Sequence, residues 1–389
     1  MTTDSVFLSI FLIFTGAAVL ATLALWARQA MIVAYIVAGV ILGPAGTGLV
    51  ADASWLADMS HIGIMFLLYL LGLNMLPQQL WRMLGEALGV TVASSLLFAA
   101  LGAVVGRLCG FGWPEAALVG ACMMFSSTII GLKLLPTTTL HHQHTGQIMI
   151  SVLLLQDLLA ILVLLIVHGY GAGHDPWWGI AQKLLALPLL VGVALVLERF
   201  LIEPLISRFD QIHEYLFLLV IGWCLGIAEC AALLGLPHEI GAFIAGVALA
   251  SCPVSMFIAD SLRPLRDFFL ILFFFSLGAS FKSAMLGSAL LPALGLAAAL
   301  LVAKPLVFRT LFVRAGEQVA QSLEVGVRLG QVSEFSLLIA VVARDAQLFS
   351  TRAGNLVQLT TLITFVVSSY LIVMRYPTPI AIQDSLRRD

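Results

Sequence analysis

One carboxylate stands near the middle of a long apolar stretch. Asp157 follows Gln156 between Gly146 and Val167, a segment long enough to cross a bilayer as a helix at about 1.5 Å per residue. An acid at mid-span costs on the order of 2.5–3.5 kcal/mol even on a lenient insertion scale. Acids inside membranes typically carry protons or cations, so Asp157 is the first candidate for a transport site. The alternative is a structural ion pair with Lys304, which lies inside another apolar stretch.

Polar islands interrupt two further apolar stretches. One is Ser126-Ser127-Thr128, and the other is Val332-Ser333-Glu334. Such islands are typical of helices broken at mid-membrane, whose freed backbone groups face a binding site. The three hydroxyls, like the amide of Gln156, could contact an ion or bond to backbone and neighbouring helices.

Charged and titratable residues near these islands have two interpretations each. A fixed ammonium suits charge balance at a helix crossing better than a cation site, so we interpret Lys304 as a supporting residue. Glu334 could neutralise the broken helix or pair with Arg328. The loop His141-His142-Gln143-His144 titrates near neutral pH, and it is either a pH sensor or an ordinary solvated loop.

Composition excludes several functions. The sequence has no basic block for nucleic acid, no glycine-rich phosphate loop and no nucleophile–base set, so we expect neither an enzyme nor a cofactor. The five cysteines lack metal-ligand spacing and are expected to be reduced packing residues, so no transition metal is predicted.

The elements that must position these residues are membrane helices. The 389 residues are 61% hydrophobic and 10% charged, against roughly 25% charged in soluble domains. Apolar runs predict an all-α membrane protein with thirteen spans, at about 5–26, 30–43, 54–76, 82–108, 114–136, 146–169, 178–199, 213–234, 237–252, 261–281, 285–313, 321–345 and 354–375. The N-terminus lacks the basic start of a cleavable signal, so the first run is expected to be a retained span.

Basic residues indicate the orientation. Twelve Lys and Arg residues fall on one side of the predicted membrane, five on the other and two inside spans. The positive-inside rule then places the N-terminus outside, the C-terminus in the cytoplasm, and residues 377–389 in a short cytoplasmic tail.

The chain also resembles itself. The helix around Gly39 matches that around Gly246 at an offset of 207 residues, and Gly72 matches Gly278 at an offset of 206. Seven spans separate each pair, and an odd number inverts the second copy. The pattern predicts inverted repeats in spans 1–6 and 8–13 about a linker helix, with discontinuous helices at spans 5 and 12.

These residues together resemble the monovalent cation:proton antiporter-2 family. The motifs are Gly39-x-x-x-Gly43-Pro44, Gly72-Leu73, Ser126-Ser127-Thr128, Gln156-Asp157, Gly241-Ala-Phe-x-Ala-Gly246, Lys304 and Gly330-Gln331-x-x-Glu334-Phe335. The match covers nearly the whole chain in order. Gln-Asp resembles the Kef-type potassium/proton branch, whereas electrogenic sodium/proton relatives typically carry Asp-Asp.

The resemblance implies a sodium/hydrogen exchanger-like transmembrane domain over residues 1–376, forming a homodimer in the cell inner (cytoplasmic) membrane. A dimerisation part (about 1–80 and 213–283) and a mobile ion-transport core (about 81–169 and 285–376) are implied. Two departures stand out: Asn74 replaces a glutamate found in many relatives, and no nucleotide-binding domain is expected after the last span. Regulation through such a domain is therefore not implied, and a separate regulatory subunit stays open.

The expected activity is electroneutral exchange of one K⁺ for one H⁺, with Asp157 binding either ion in turn. The expected ion ligands are Asp157, Gln156, Ser126, Ser127 and Thr128, supported by Lys304, Gln331 and Glu334. The first alternative is Na⁺/H⁺ exchange on the same fold. A channel-like or sensory protein and an organic-anion transporter are further alternatives, and membrane lipid is the expected surrounding in every case.

Overall fold

The protein is helical throughout the part that the structure describes. The computed structural model describes residues 3–27, 29, 31–44, 46–50, 54–73, 77–134, 144–170, 176–209, 211–279 and 285–378, and within these ranges it contains helices and no β-strand. In chain order the helices are α1 (Thr3–Trp26), α2 (Met31–Leu42), α3 (Ser54–Leu73), α4 (Pro77–Leu108), α5 (Trp113–Met123), α6 (Thr128–Lys133), α7 (His144–Tyr170), α8 (Pro176–Leu197), α9 (Glu203–Phe209), α10 (His213–Leu233), α11 (His238–Leu249), α12 (Ser255–Ala279), α13 (Met285–Arg314), α14 (Val319–Arg328), α15 (Glu334–Asp345) and α16 (Thr351–Arg375).

Seven stretches within the described helices are long and apolar enough to cross a membrane. They are Phe7–Trp26, Ala87–Leu108, Thr145–Gly169, Leu185–Phe209, His213–Leu233, Ala289–Arg314 and Thr351–Arg375. The protein is therefore a multi-pass membrane protein.

The predicted spans 5 and 12 are each divided between two helices. Residues Met124 to Ser127 separate α5 from α6, and residues Leu329 to Ser333 separate α14 from α15. Both gaps fall on the polar islands. We refer to them below as the first break and the second break.

The helix that begins as α8 runs further than the predicted limit at residue 199. It continues through a π-helical turn at Glu198–Ile202 into α9. The wider turn ends two residues before Pro204, which has no N–H to donate and whose ring disturbs the preceding α-helical turn.

The chain divides into two compact units. The first contains residues 1–17, 35–82 and 168–280, and the second contains residues 18–34, 83–167 and 281–389.

In the first unit, helices cross at glycines that lie on each other's backbone. At the α2–α12 crossing, a Cβ added to Gly39 would lie 2.9 Å from the Cα of Gly278. At the α3–α11 crossing, a Cβ added to Gly72 would lie 3.0 Å from the Cα of Gly246. The repeat offsets of 207 and 206 residues map Gly39 onto Gly246 and Gly72 onto Gly278. The two crossings are thus equivalent, each joining a residue of one sequence copy to a residue of the other.

The second unit is built around an apolar core where α4, α7, α13 and α14 meet. Its fully buried members include Phe98, Val152, Phe308 and Val325. The rings of Phe98 and Phe308 pack edge to face with centroids 5.4 Å apart. This core also contains Leu329, the first residue of the second break.

Candidate functional site

Gln156 satisfies the backbone of the first break. Its Oε1 accepts a hydrogen bond from the N–H of Ser126 at 2.9 Å, and its Nε2 donates to the carbonyl of Met124 at 3.3 Å. Unwound peptide groups inside a membrane must find such partners because water is not available to them. The side chain of Gln156 is fully buried, and its two hydrogen bonds stabilise the unwound backbone of the break.

The hydroxyls of Ser126 and Ser127 also form hydrogen bonds with backbone groups. The hydroxyl of Ser126 donates to the carbonyl of Leu329 in the second break at 2.8 Å. The hydroxyl of Ser127 accepts from the N–H of Ile130 at 3.2 Å, as a helix-capping side chain does at the start of α6. Both hydroxyls were predicted as ion ligands, and the structure places them in these backbone contacts.

The third residue of this triplet, Thr128, begins α6, and its hydroxyl contacts the carboxylate of Asp157. Its Oγ1 lies 3.2 Å from Oδ1 and 3.1 Å from Oδ2 of the carboxylate. Asp157 is 1% exposed and projects from the middle of α7. Three adjacent polar residues of the sequence therefore have three different neighbours in the fold.

Glu334 places a second acid in the same region. It is the first residue of α15, is 4% exposed, and interacts electrostatically with Asp157. A carboxylate in the first turn of a helix is favoured by the partial positive charge of the helix N-terminus. The preceding Ser333 caps α15, because its Oγ accepts from the N–H of Phe335 at 3.1 Å.

Gln331 joins the second break to the first. Its Nε2 donates to the carbonyl of Ser127 at 3.3 Å, and its Oε1 accepts from the hydroxyl of Ser368 on α16 at 2.9 Å. The N–H of Val332 donates to Thr364 Oγ1, also on α16, at 3.1 Å. These α16 hydroxyls were missed in the sequence, although their spacing of four residues within an apolar span indicates one helix face.

Lys304 lies where the two breaks meet. Its ammonium donates to the carbonyl of Phe125 at 2.7 Å, to the carbonyl of Gln331 at 2.8 Å and to the hydroxyl of Ser126 at 3.1 Å. These bonds use all three donors of the side chain. An ammonium is also favoured beyond helix C-termini, here those of α5 and α14, because partial negative charge collects there.

The position of Lys304 follows from close packing between α13 and α14. A Cβ added to Gly326 would lie 2.8 Å from the Cα of Pro305, the residue after Lys304. Glycine at this position lets α14 approach α13, so that the ammonium reaches the second break. The predicted alternative, a Lys304–Asp157 ion pair, is not formed between these two described side chains.

The remaining candidates lie elsewhere. Arg328 forms its salt bridge with Glu324, at 2.8 Å, rather than with the predicted alternative partner Glu334. Asn74 and the loop residues His141, His142 and Gln143 lie outside the described residues. Within the described residues, no group of three or more His, Cys, Asp and Glu side chains could hold a metal ion.

The fold and site define a class of membrane protein. Two broken helices that cross beside a buried carboxylate are typical of ion-coupled secondary transporters. The family model described as "Sodium/hydrogen exchanger, transmembrane" matches residues 10–374, so the chain belongs to the sodium/hydrogen exchanger family. It is a cation/proton antiporter of that family, and therefore a secondary transporter rather than an enzyme.

The fold is also that of a solved antiporter. The structure of the sodium proton antiporter MjNhaP1 from Methanocaldococcus jannaschii at pH 8 matches with a TM-score of 0.72 and 17% identity, over 95% of this chain and 96% of that one. A second structure of the same antiporter, an electron-microscopy map, matches with a TM-score of 0.70 and 17% identity, over 96% of both chains.

Proposed function

We propose that the protein exchanges one K⁺ for one H⁺, with Asp157 as the carboxylate that the two ions share. The observation that carries this proposal is the division of roles within Gln156-Asp157. Gln156 uses both ends of its uncharged amide on the first break, whereas Asp157 contacts the hydroxyl of Thr128. One carboxylate that binds either ion in turn gives one-for-one exchange.

The ion would be held by Asp157 and Thr128. A carboxylate and a hydroxyl supply oxygen ligands, which suit hard monovalent cations, and carbonyl oxygens of the first break would add to them. Ser126, Ser127 and Gln156 then act indirectly, by keeping that break unwound. We retain them as part of the site in this supporting role.

Electroneutral exchange requires that the other buried charges stay constant. Lys304 donates to three acceptors at the crossing, an arrangement that requires the three N–H groups of its ammonium form. Glu334 lies at a helix N-terminus, which favours its carboxylate form. The charge on the site would then be equal with K⁺ bound to an ionised Asp157 or with H⁺ bound to it.

We further propose alternating access by an elevator-type movement. The transport core would be the part at about 81–169 and 285–376, working against a dimerisation part at about 1–80 and 213–283. The division of the chain into two compact units supports most of this assignment, although residues 18–34 belong to the unit that contains the core. A homodimer in the inner membrane, with the N-terminus outside and the C-terminus in the cytoplasm, completes the proposal.

Na⁺ is the second candidate cation, because the structurally similar MjNhaP1 is described as a sodium proton antiporter. A flux assay separates the two. Purified protein is reconstituted into vesicles containing a pH dye, and K⁺, Na⁺ or Li⁺ is added across a range of pH. If K⁺ drives proton efflux and the rate does not depend on an added ionophore that dissipates the membrane potential, the result supports electroneutral K⁺/H⁺ exchange. A response to Na⁺ alone contradicts the K⁺ assignment.

The carrier role of Asp157 has its own test. Asp157→Asn should abolish cation-driven proton flux. Ser151→Ala, on the same helix, should retain it, because the hydroxyl of Ser151 donates to the carbonyl of Gln147 within that helix. Flux at the wild-type level in Asp157→Asn would exclude Asp157 as the carrier. Cation flux without coupled proton flux in the wild type would favour a channel, and flux driven only by organic anions would favour a symporter.

A further inference from the structure

Arg328 is a fully buried guanidinium at the end of α14. It is 1% exposed, and its Nε donates to Oε1 of Glu324, four residues earlier on the same helix, at 2.8 Å. The guanidinium carbon lies 5.4 Å from the centre of the Tyr376 ring. A buried cation is costly unless every donor finds a partner, so its other contacts are informative.

Two of those contacts reach other parts of the second unit. Nη1 of Arg328 donates to the carbonyl of Leu134 at 3.1 Å, and Nη2 donates to the carbonyl of Pro377 at 2.9 Å. Leu134 directly follows α6, and Pro377 follows α16 by two residues. One planar side chain thus holds three chain segments, which the point charge of a lysine could not do with the same geometry.

The contact with Leu134 bears on the ion site because α6 is short. Its six residues span about 9 Å at 1.5 Å per residue. Thr128, at one end, lies against the Asp157 carboxylate, and Leu134, just beyond the other end, donates its N–H to Ile130 at 3.1 Å and so continues the helix. Because this short helix is continuous, a displacement of Leu134 would shift Thr128 by a similar distance.

We propose that Arg328 is a positioning residue for the ion site, which sets the distance between Thr128 and Asp157 by holding α6 from its far end, and which ties that distance to the segment after α16. The proposal rests on the proposed exchange function. This role of Arg328 is separate from charge balance, because the salt bridge with Glu324 is sufficient to neutralise the guanidinium. The proposal assigns to the residues Tyr376 and Pro377 a mechanical connection to cation binding.

A double-mutant cycle on the cation KM tests the proposal. Thr128→Val removes the hydroxyl with little change in shape, and Arg328→Lys keeps the charge but loses the fork of donors. A hydrogen bond to a charged group contributes about 1.5–3 kcal/mol, so loss of the bond between Thr128 and Asp157 should raise the KM for the cation by about tenfold or more. We expect a rise of about tenfold for Arg328→Lys as well, because it would displace Thr128 from the carboxylate. If Arg328 acts through Thr128, the double variant should have a KM within about twofold of Thr128→Val alone.

A structural role alone gives a different pattern. It would lower the melting temperature and the amount of folded protein, and any effect on KM would multiply in the double variant to about a hundredfold. Such multiplicative KM values would overturn the proposal. Arg314→Lys, the same substitution at an exposed arginine that ends α13, is the matched control and should leave KM unchanged.

Tyr376→Leu covers the case in which Arg328→Lys does not fold. It removes the ring beside the guanidinium and loosens the Pro377 segment, while every hydrogen bond of Arg328 can still form. We expect a severalfold rise in cation KM that disappears in the Thr128→Val background, and an unchanged KM in Tyr376→Leu would contradict the connection. Wild-type vesicles without cation-driven proton flux would instead refute the exchange function itself, so the two failures are distinguishable.

Discussion

The paired glycine crossings of the first unit predict a large and symmetric loss of stability on adding one methyl group. In Gly246→Ala the new Cβ would lie 3.0 Å from the Cα of Gly72 and 2.9 Å from the backbone nitrogen of Leu73, and closer still to the carbonyl of Tyr69. In Gly278→Ala it would lie 3.0 Å from the Cα of Gly39 and close to the carbonyl of Ile36. Since all these atoms belong to backbone, no side chain can rotate away.

The expected loss of stability follows from the distance by which each alanine must separate the paired helices. Ordinary Cβ contacts begin near 3.4 Å, whereas the new Cβ would lie 2.1 Å from the carbonyl oxygen of Tyr69 or 2.0 Å from that of Ile36. The paired helices must therefore move apart by roughly 1–1.5 Å and lose dispersion contacts along the crossing. Overpacking of this kind costs about 1–3 kcal/mol, which corresponds to a fall in Tm of roughly 5 °C for a chain of this size. Because the crossings are equivalent, Gly246→Ala and Gly278→Ala should lose similar amounts.

The assay is thermal unfolding of the purified protein in detergent, followed by intrinsic fluorescence. Gly226→Ala is the matched control, because Gly226 lies in α10 with no atom within 4 Å of an added Cβ. Alanine in an open helical position favours folding by about 0.4–1 kcal/mol, so the control should raise Tm slightly. Equal Tm values for Gly246→Ala and Gly226→Ala would refute the close approach of α3 and α11.

Three further predictions concern the second unit. Gln156→Leu leaves the N–H of Ser126 and the carbonyl of Met124 without their partner, so it should cost about 2–5 kcal/mol in unfolding free energy and abolish exchange; a variant as stable as wild type in chemical denaturation would contradict this. Lys304→Met leaves three acceptors unsatisfied, so flux should fall at least tenfold; wild-type flux in vesicles would show that the ammonium is dispensable. Ser368→Ala removes one neutral hydrogen bond to Gln331, so it should lower Tm by a few degrees and leave the cation KM within twofold of wild type; a tenfold KM change would place Ser368 in direct control of the ion site.

Much of this architecture could be predicted from the residues themselves. The glycines at 39, 72, 246 and 278 stand out because no other residue allows helix backbones to touch, and their offsets already indicated two related copies. The two breaks could be predicted because runs of polar side chains are costly in an unbroken membrane helix. Both inferences depend on local composition, which a sequence states directly.

The partners of each polar side chain could not be predicted in this way. Ser126, Ser127 and Thr128 are chemically similar neighbours, and only the unwound backbone directs one to Leu329, one to Ile130 and one to Asp157. The acceptors of Lys304 are two carbonyls and a hydroxyl rather than an acid, and carbonyls are present at every position of a sequence. Their convergence depends on how α5, α13 and α14 pack.

The ammonium of Lys304 has a consequence for the conditions under which the protein is intact. The meeting point of the two breaks collects carbonyl oxygens, an arrangement that elsewhere is filled by a dissolved metal ion. Here the positive charge is covalently tethered to α13 and cannot diffuse away. We therefore expect the two breaks to keep their shape when the surrounding solution is depleted of salt, because the charge that holds their carbonyl oxygens together belongs to the chain itself.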